Sequence, residues 1–295
     1  MRLQVGGGGL VAQNQSALAP FRLYRPTTIA EASGVLEREP EAVLAAGCSD
    51  LFARFREGLS PAALVSLQSV PELTSIVHSG GVLRIGSMVT HHRGATDPVV
   101  AEAVPGLAAA WSSVATVRIR YTATVGGNLM AGRTRYEMSL LLGALGAEAI
   151  FSNGSVRAVD DLWREGGGVT GAATSLLTEI AVPTGDLVWF GYERSMRPTA
   201  TLALAVRRSG GGTLRVRAVA GSEYRPGFVL EADTGAASLA ELDTASIGAE
   251  LAAGLPDSCA DYTGSAEYRR HLTNVLAGRL LAAALAPVRP EGEGR

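Results

Sequence analysis

Two glycine-bearing segments are where residue type and spacing point to chemistry. The first is Leu44-Ala45-Ala46-Gly47-Cys48-Ser49-Asp50-Leu51, which continues an apolar run. A glycine in such a turn lets consecutive backbone N–H groups converge on one point, the nest that binds phosphate oxygens. Ser49 adds a hydroxyl donor, and Asp50 can fix the loop or cap the next element. Alone, the segment also fits an ordinary strand-to-helix turn, the commoner use of one Gly and one Ser. The second segment is Thr124-Val125-Gly126-Gly127-Asn128. Its adjacent glycines remove side chains where a flat or charged group would approach the backbone. Thr124 and Asn128 flank them with groups that donate and accept hydrogen bonds. A structural Gly-Gly turn is the plainer alternative. His91-His92 would point its rings to opposite faces of a strand, and a metal site needs further converging ligands.

Other signatures are missing. No GxGxxG follows a strand, and there is no Walker-type GxxxxGK, no GxSxG elbow and no HExxH. The 295-residue chain is 47 % hydrophobic and 18 % charged, with mean hydropathy +0.19. Such a chain can bury a sizeable core and is not disordered. No apolar run reaches the roughly 18 residues of a membrane span. A net charge of −2 argues against broad binding to nucleic-acid phosphates. All 26 basic residues are Arg. Cys48 and Cys259 form no CxxC, so the chain alone supplies neither an iron–sulfur cluster nor a Cys-rich zinc site. Two cysteines so far apart suggest a reducing cytoplasm. Any electron chemistry then needs an organic cofactor. Met1 to Leu18, with its Gly6–Gly9 run, reads as a flexible leader and not an export signal.

The positioning elements are read from pattern. Thr28 with Glu31 predicts a capped helix whose inner face carries Ile29, Ala32, Val35 and Leu36. Ala42–Ala46, Leu64–Leu67 and Leu83–Gly86 predict short strands, the last after a Gly80-Gly81 turn. Val99–Ala115 predicts a helix interrupted at Pro105-Gly106, and Glu137–Leu145 predicts another. Beyond Pro183, Leu202–Val206 and Leu214–Ala218 flank Ser209-Gly210-Gly211-Gly212 as a hairpin. A closing helix presents Tyr268, Leu272, Val275, Leu276 and Leu280 inward.

In chain order, further stretches carry a family likeness. They are Tyr24-Arg25-Pro26-Thr27-Thr28 with Glu31-Ala32, Ala46–Leu51, and Leu83–Met88 through Thr90-His91 to Asp97-Pro98. Beyond them lie Ile119-Arg120, Thr124–Leu129, Leu145-Gly146-Ala147, Leu177–Pro183 and Tyr268–Leu272. Their order and spacing resemble the medium, FAD-binding subunit of the xanthine dehydrogenase / carbon monoxide dehydrogenase family of molybdenum hydroxylases, from about Pro20 to Ala286. The resemblance implies an α+β fold. After a flexible extension (1–19) it places a two-lobed FAD-binding domain of the vanillyl-alcohol-oxidase / p-cresol-methylhydroxylase type over 20–188. A small C-terminal α+β domain, antiparallel sheet plus helices, would fill 189–295.

The same resemblance implies that Leu44, Ala45, Ala46, Gly47, Cys48, Ser49, Asp50 and Leu51 lie along the FAD diphosphate. Thr124, Val125, Gly126, Gly127 and Asn128 would form a second loop touching pyrophosphate and flavin. Glu137 falls where the family has Asp, Leu177 against the cofactor, and Arg194 where a Lys lies near the flavin. A cation there would stabilise negative charge on the reduced ring. No residue is assigned a catalytic or metal-ligating role. Cys48 stands in place of Gly or Asn, Ser49 of Thr, Tyr121 of Asn, and Ala131–Tyr136 of a small-residue segment with a Ser-Pro. The arginines and tyrosine of that segment would narrow the flavin mouth, pair with FAD phosphates, or form a solvated charged turn.

The implied function is an oxidoreductase subunit relaying electrons through FAD. A molybdenum-cofactor large subunit and a 2Fe–2S small subunit would be its partners, and a small molecule its acceptor. A free-standing FAD-dependent oxidoreductase acting directly on a small molecule is the alternative, motivated by Arg133–Tyr136 and the leader. A scaffold that has lost FAD is a third reading, against which Gly126-Gly127-Asn128 speaks.

Overall fold

The computed structural model describes residues 20–164, 175–195 and 199–286; the expected leader lies outside them. The first lobe alternates strands with helices: β1 (Arg22–Tyr24), α1 (Ile29–Arg38), β2 (Val43–Ala45), α2 (Ser49–Arg56) and β3 (Ala63–Ser66). The strands pair in parallel in the order β1-β3-β2. Thr28 Oγ accepts from the Glu31 N–H, as the spacing predicts. The Glu31 carboxylate reaches back to the Thr27 N–H and hydroxyl, so both ends of the cap are engaged. Ala32, Val35 and Leu36 share an apolar cluster with Val65, Leu67 and Leu73.

The second lobe begins with the hairpin β4 (Ile76–Ser79) and β5 (Val82–Gly86). Six helices come next: α3 (His91–Thr96), α4 (Pro98–Ala103), α5 (Pro105–Ser113), α6 (Val117–Arg120), α7 (Val125–Met130) and α8 (Met138–Ala144). β6 (Glu148–Phe151), β7 (Val156–Ala158), the single turn α9 (Asp161–Arg164) and β8 (Leu177–Pro183) complete it. This sheet is antiparallel, in the order β4-β5-β8-β6-β7. Pro98 and Pro105 sit at the starts of α4 and α5, where a missing N–H leaves no helical bond unmade.

The last layer is an antiparallel meander of β9 (Leu187–Arg194), β10 (Thr201–Arg208), β11 (Leu214–Gly221) and β12 (Phe228–Asp233), ordered β12-β11-β10-β9. β10 and β11 pair from Thr201↔Gly221 to Arg208↔Leu214, the predicted hairpin. α10 (Thr244–Ala253) and α11 (Ala266–Leu285) cover one face. Successive side chains of a strand point to opposite faces. Leu202, Leu204 and Val206 therefore meet the α10/α11 cluster, while Ala203 and Ala205 pack into the core of the second lobe. The sheet is a middle layer, and Arg217 Nε ties β11 to α8 by donating to the Gly143 carbonyl at 3.0 Å. Two lobes followed by an antiparallel sheet with helices is the expected α+β architecture. The expected division after residue 188 falls inside β9. No helix among the described residues is long and apolar enough to cross a membrane.

The inner face of α11 differs from the expected one. Leu276 and Leu280 are buried as predicted, but Tyr268 is exposed and Arg269 and Thr273 take the inner positions. A stripe read from apolar letters misses a buried ion pair. Arg269 Nη2 lies 2.6 Å from Asp261 Oδ1, with both side chains only 5 % exposed. Burial pushes the Asp261 carboxyl up, but the bonds from Thr263 and Arg269 overcome it and hold it at about 2. Asp261→Asn leaves the guanidinium buried and unpaired and should cost about 3 kcal/mol. The check is a lower urea midpoint at unchanged slope.

Candidate functional site

A cleft of about 880 Å³ opens between the two lobes. Leu44, Ala46, Gly47, Cys48, Ser49, Asp50 and Leu51 line it from the first lobe. Thr124, Gly126, Gly127, Asn128, Glu137 and Leu177 line it from the second. Three expected residues do not. Ala45 and Val125 are buried in the cores of their own lobes, and Arg194 stands behind Glu137.

The two segments are joined by close backbone approach. A Cβ added to Gly47 would land on the Thr122 carbonyl oxygen. This glycine thus serves the contact between lobes, a use its sequence context did not reveal. Cys48, which leads into α2, has φ 60° and ψ 0°. The left-handed region favours Gly or Asn and costs other residues about 1–2 kcal/mol. Ala115 (φ 58°) is the other non-glycine residue with positive φ among those described, and it lines the same cleft. Such strain tends to gather at functional sites. Burial pushes the Cys48 thiol up, so it is no ready thiolate. No side chain caps the N-terminus of α2.

Thr124–Asn128 is not a loop. It is the cap and first turn of α7, in which Thr124 Oγ accepts from the Gly127 N–H at 3.1 Å. The residue types that suit a ligand loop also suit a capped helix start. A Cβ on Gly126 would lie 2.7 Å from both Ser87 Cβ and the Ser87 carbonyl oxygen. That glycine makes room for protein, and its N–H donates to Ser87 O at 2.9 Å. Val125 N–H to Val89 O and His91 N–H to Ala123 O continue the same lacing. Gly127 is different. Beyond its own cap, the nearest atom to an added Cβ is Ala46 Cβ at 3.6 Å. Its bare backbone is what the cleft gains.

Asp50 does not face the cleft as a free charge. Arg54 Nε donates to it at 2.6 Å, Arg133 Nε at 3.0 Å and the Tyr136 hydroxyl at 2.9 Å. Burial raises this carboxyl, but the three donors outweigh that and hold it below its ordinary value. Arg133 also pairs with Glu57 at 2.8 Å, and Arg54 reaches the Ala131 carbonyl. Two side chains of the divergent 131–136 segment are therefore absorbed in clamping the lobes. Arg135 remains exposed at the cleft, 5.8 Å from the centroid of the Tyr136 ring, and makes no ion pair among the described residues. Glu137 is 8 % exposed and receives Arg194 Nη1 at 3.1 Å and the Tyr192 hydroxyl, both from β9. Burial and the Glu137 charge raise the Tyr192 phenol far above its ordinary value, keeping it a donor. Arg194 acts on the cleft through Glu137.

His91 and His92 open α3, where adjacent side chains diverge by helical and not strand geometry. His92 stacks on Tyr121. His91 is fully buried, and Trp111 Nε1–H donates to its Nδ1 at 2.8 Å. Burial, then the Arg120 guanidinium, lower its pKa to about 4. Among the described residues no three His, Cys, Asp or Glu side chains come together as a metal site. Ser87, His91 and Ala115 also line the cleft, and sequence reasoning did not assign them to binding; Arg135 lines it too, from the segment for which pairing with FAD phosphates was one of the readings. Ser87 and His91 do lie in the Leu83–His91 family motif, which was the available signal.

Residues 19–185 match the family described as the FAD binding domain in molybdopterin dehydrogenase. The nicotine 6-hydroxylase medium subunit of Paenarthrobacter nicotinovorans is 29 % identical over 279 residues, 90 % of this chain and 98 % of that protein. The carbon monoxide dehydrogenase medium chain of Afipia carboxidovorans is 29 % identical over 204 residues, 65 % of this chain and 70 % of that one. Among solved structures, quinoline 2-oxidoreductase from Pseudomonas putida 86 superposes with a TM-score of 0.74 at 26 % identity, covering 90 % of this chain and 97 % of that one.

This geometry has two measurable outcomes. Gly47→Ala forces the lobes apart and should cost about 2 kcal/mol or more, read by urea unfolding. His91 is neutral when folded down to about pH 4, whereas in the unfolded chain it protonates below about 6.5. The unfolded state therefore binds more protons between those values. Stability is full above pH 6.5 and falls by about 3 kcal/mol on the way down to pH 4. His91→Gln should flatten that part of the Tm–pH curve.

Proposed function

Since the chain belongs to the family of FAD-binding domains of molybdopterin dehydrogenases, we propose that it is the flavin subunit of a molybdenum hydroxylase-type oxidoreductase, holding FAD between its lobes. The cleft itself carries this reading. It combines bare backbone at Gly127, an uncapped α2 N-terminus, and three buried polar atoms, Ser87 Oγ, His91 Nε2 and Asn128 Oδ1, with no partner among the described residues. A large ligand rich in phosphates, hydroxyls and ring carbonyls fits such a surface.

The residues that would hold it are Leu44, Ala46 to Leu51, Thr124, Gly126 to Asn128, Glu137 and Leu177. Ala45 and Val125 would contribute only by anchoring their segments in the lobe cores, and Arg194 by fixing Glu137. Bound FAD supplies reversible uptake and release of electrons, so the protein needs no nucleophile or acid–base pair of its own. The chain's part is to bind, orient and shield. The N–H groups at the start of α2 offer donors to an anion. Asp50 does not repel it, because three donors already engage its carboxylate. Arg135 adds a cation at the rim that makes no ion pair among the described residues.

Residues 20–188 would form the flavin domain and 189–295 the C-terminal domain. A molybdenum-bearing large subunit and a 2Fe–2S small subunit would supply the metals, with a small-molecule acceptor receiving the electrons. The two unpaired cysteines support a cytoplasmic setting. A free-standing flavoenzyme is not favoured, because the relative spanned over 98 % of its length is itself a medium subunit.

The purified chain should bind FAD with the visible absorbance of a flavoprotein. Gly127→Leu should fill the cleft and weaken FAD at least about a hundredfold, with unchanged circular dichroism. A folded wild-type chain that takes up no FAD overturns the reading.

A further inference from the structure

Tyr121, which stands where the resembled family has Asn, is a departure that the cleft does not absorb. It follows α6 directly, is 60 % exposed and lines no part of the cleft. Its ring does not swing free, because His92 stacks on it with centroids 4.1 Å apart and ring planes 27° from parallel. Val117, one helical turn earlier on the same face, is 59 % exposed, and Ile119 between them is exposed too. Exposed apolar side chains are ordinary when scattered, but three within five residues make a patch. Ala115 leads into α6 with φ 58°, a conformation that a side chain disfavours, and it is itself exposed. Strain of this kind tends to be kept where a segment has something to bind.

The charge around this patch has one sign. Between Glu102 and Glu137 the sequence holds no acidic residue. Arg118 is exposed and makes no hydrogen bond or ion pair among the described residues. Arg120 donates to the Ser112 carbonyl, an uncharged partner. α3 packs against α6 and brings Arg93, which already engages Asp97 at 3.8 Å. The other exposed aromatic groups, around Phe52 and Tyr224, have acids and arginines alike within two residues. A patch that is apolar and cationic complements a surface that is apolar and acidic. A rigid aromatic ring beside an arginine is the kind of anchor that dominates protein interfaces, since little freedom is lost when it docks. Ala115, Thr116 and Ile119 also form part of the cleft wall, so a protein seated on α6 stands at the edge of the cofactor cleft. Electron transfer weakens steeply with distance, and the iron–sulfur subunit is the partner that would exchange electrons with the flavin directly.

We propose that α6, with Tyr121 braced by His92, is the docking face for the iron–sulfur subunit, whose matching surface is an apolar pocket for Tyr121 edged by carboxylates that meet Arg118. The inference rests on the electron-relay reading and adds to it a place on the molecule and an anchor residue peculiar to this chain.

The test titrates the FAD-loaded full-length chain with its purified iron–sulfur subunit. Tyr121→Asn, which restores the residue of the resembled family, should raise the Kd at least about thirtyfold. Arg118→Glu should slow association about tenfold and flatten its dependence on salt. In both variants Tm and FAD affinity should hold, because neither side chain lies in the core or lines the cleft. An unchanged Kd for Tyr121→Asn overturns the proposal, and a lower Tm at equal Kd does so by marking the ring as structural. Loss of the molybdenum-subunit contact alone assigns the face to another occupant and overturns it too. So does a concentration-dependent dimer of the isolated chain that Tyr121→Asn breaks. A wild-type chain that takes up FAD yet joins no iron–sulfur subunit overturns the electron-relay reading itself, a different failure from that of the docking face.

Discussion

Where Gly47 meets the carbonyl of Thr122, the two lobes touch backbone to backbone, and the rest of the cleft is arranged around that contact. Only a hydrogen fits on Gly47 there. Just past it the chain takes the left-handed conformation at Cys48 and enters α2. Asp50 then comes within reach of Arg133 and Tyr136 from the other lobe. A steric fit brings the lobes together, and charge-assisted hydrogen bonds hold them in register.

A second chain of contacts reaches the cleft from the C-terminal sheet. β10 is apolar on both faces because the sheet is packed on both sides, and β9 sends Tyr192 and Arg194 to Glu137. A carboxylate this buried needs partners, and here they come from a different layer of the molecule. The last third of the chain therefore does more than cover the core. It holds one wall of the cleft through a single side chain.

Much of this was legible in the sequence where a local signal and the tertiary fold agree. Thr28 and Glu31 announced α1, and the alternation around Ser209–Gly212 announced the hairpin, because capping and turn chemistry act over a few residues. The Gly47 and Gly126-Gly127 segments were recognisable as a pair by order and spacing. What each glycine does was not. Gly47 accommodates Thr122 and Gly126 accommodates Ser87, contacts set by chain far away. The same holds for Arg133, whose partner Asp50 lies in the other lobe, and for Arg269, whose burial depends on Asp261. The letters His91-His92 carry no sign that the first ring is buried and bonded to Trp111, twenty residues on.

The clamp at the cleft mouth is built from guanidinium groups, like every other basic side chain in this protein. Arginine stays charged at any pH a protein survives and presents a rigid fork to carboxylates, so the clamp does not loosen in mild alkali. Amine-directed chemistry has no lysine side chain here to attack. In a mixture with lysine-bearing proteins, acylating reagents and aldehyde fixatives would leave the side chains of this polypeptide largely unmarked, and a cross-linking map based on such reagents would show a blank where it stands.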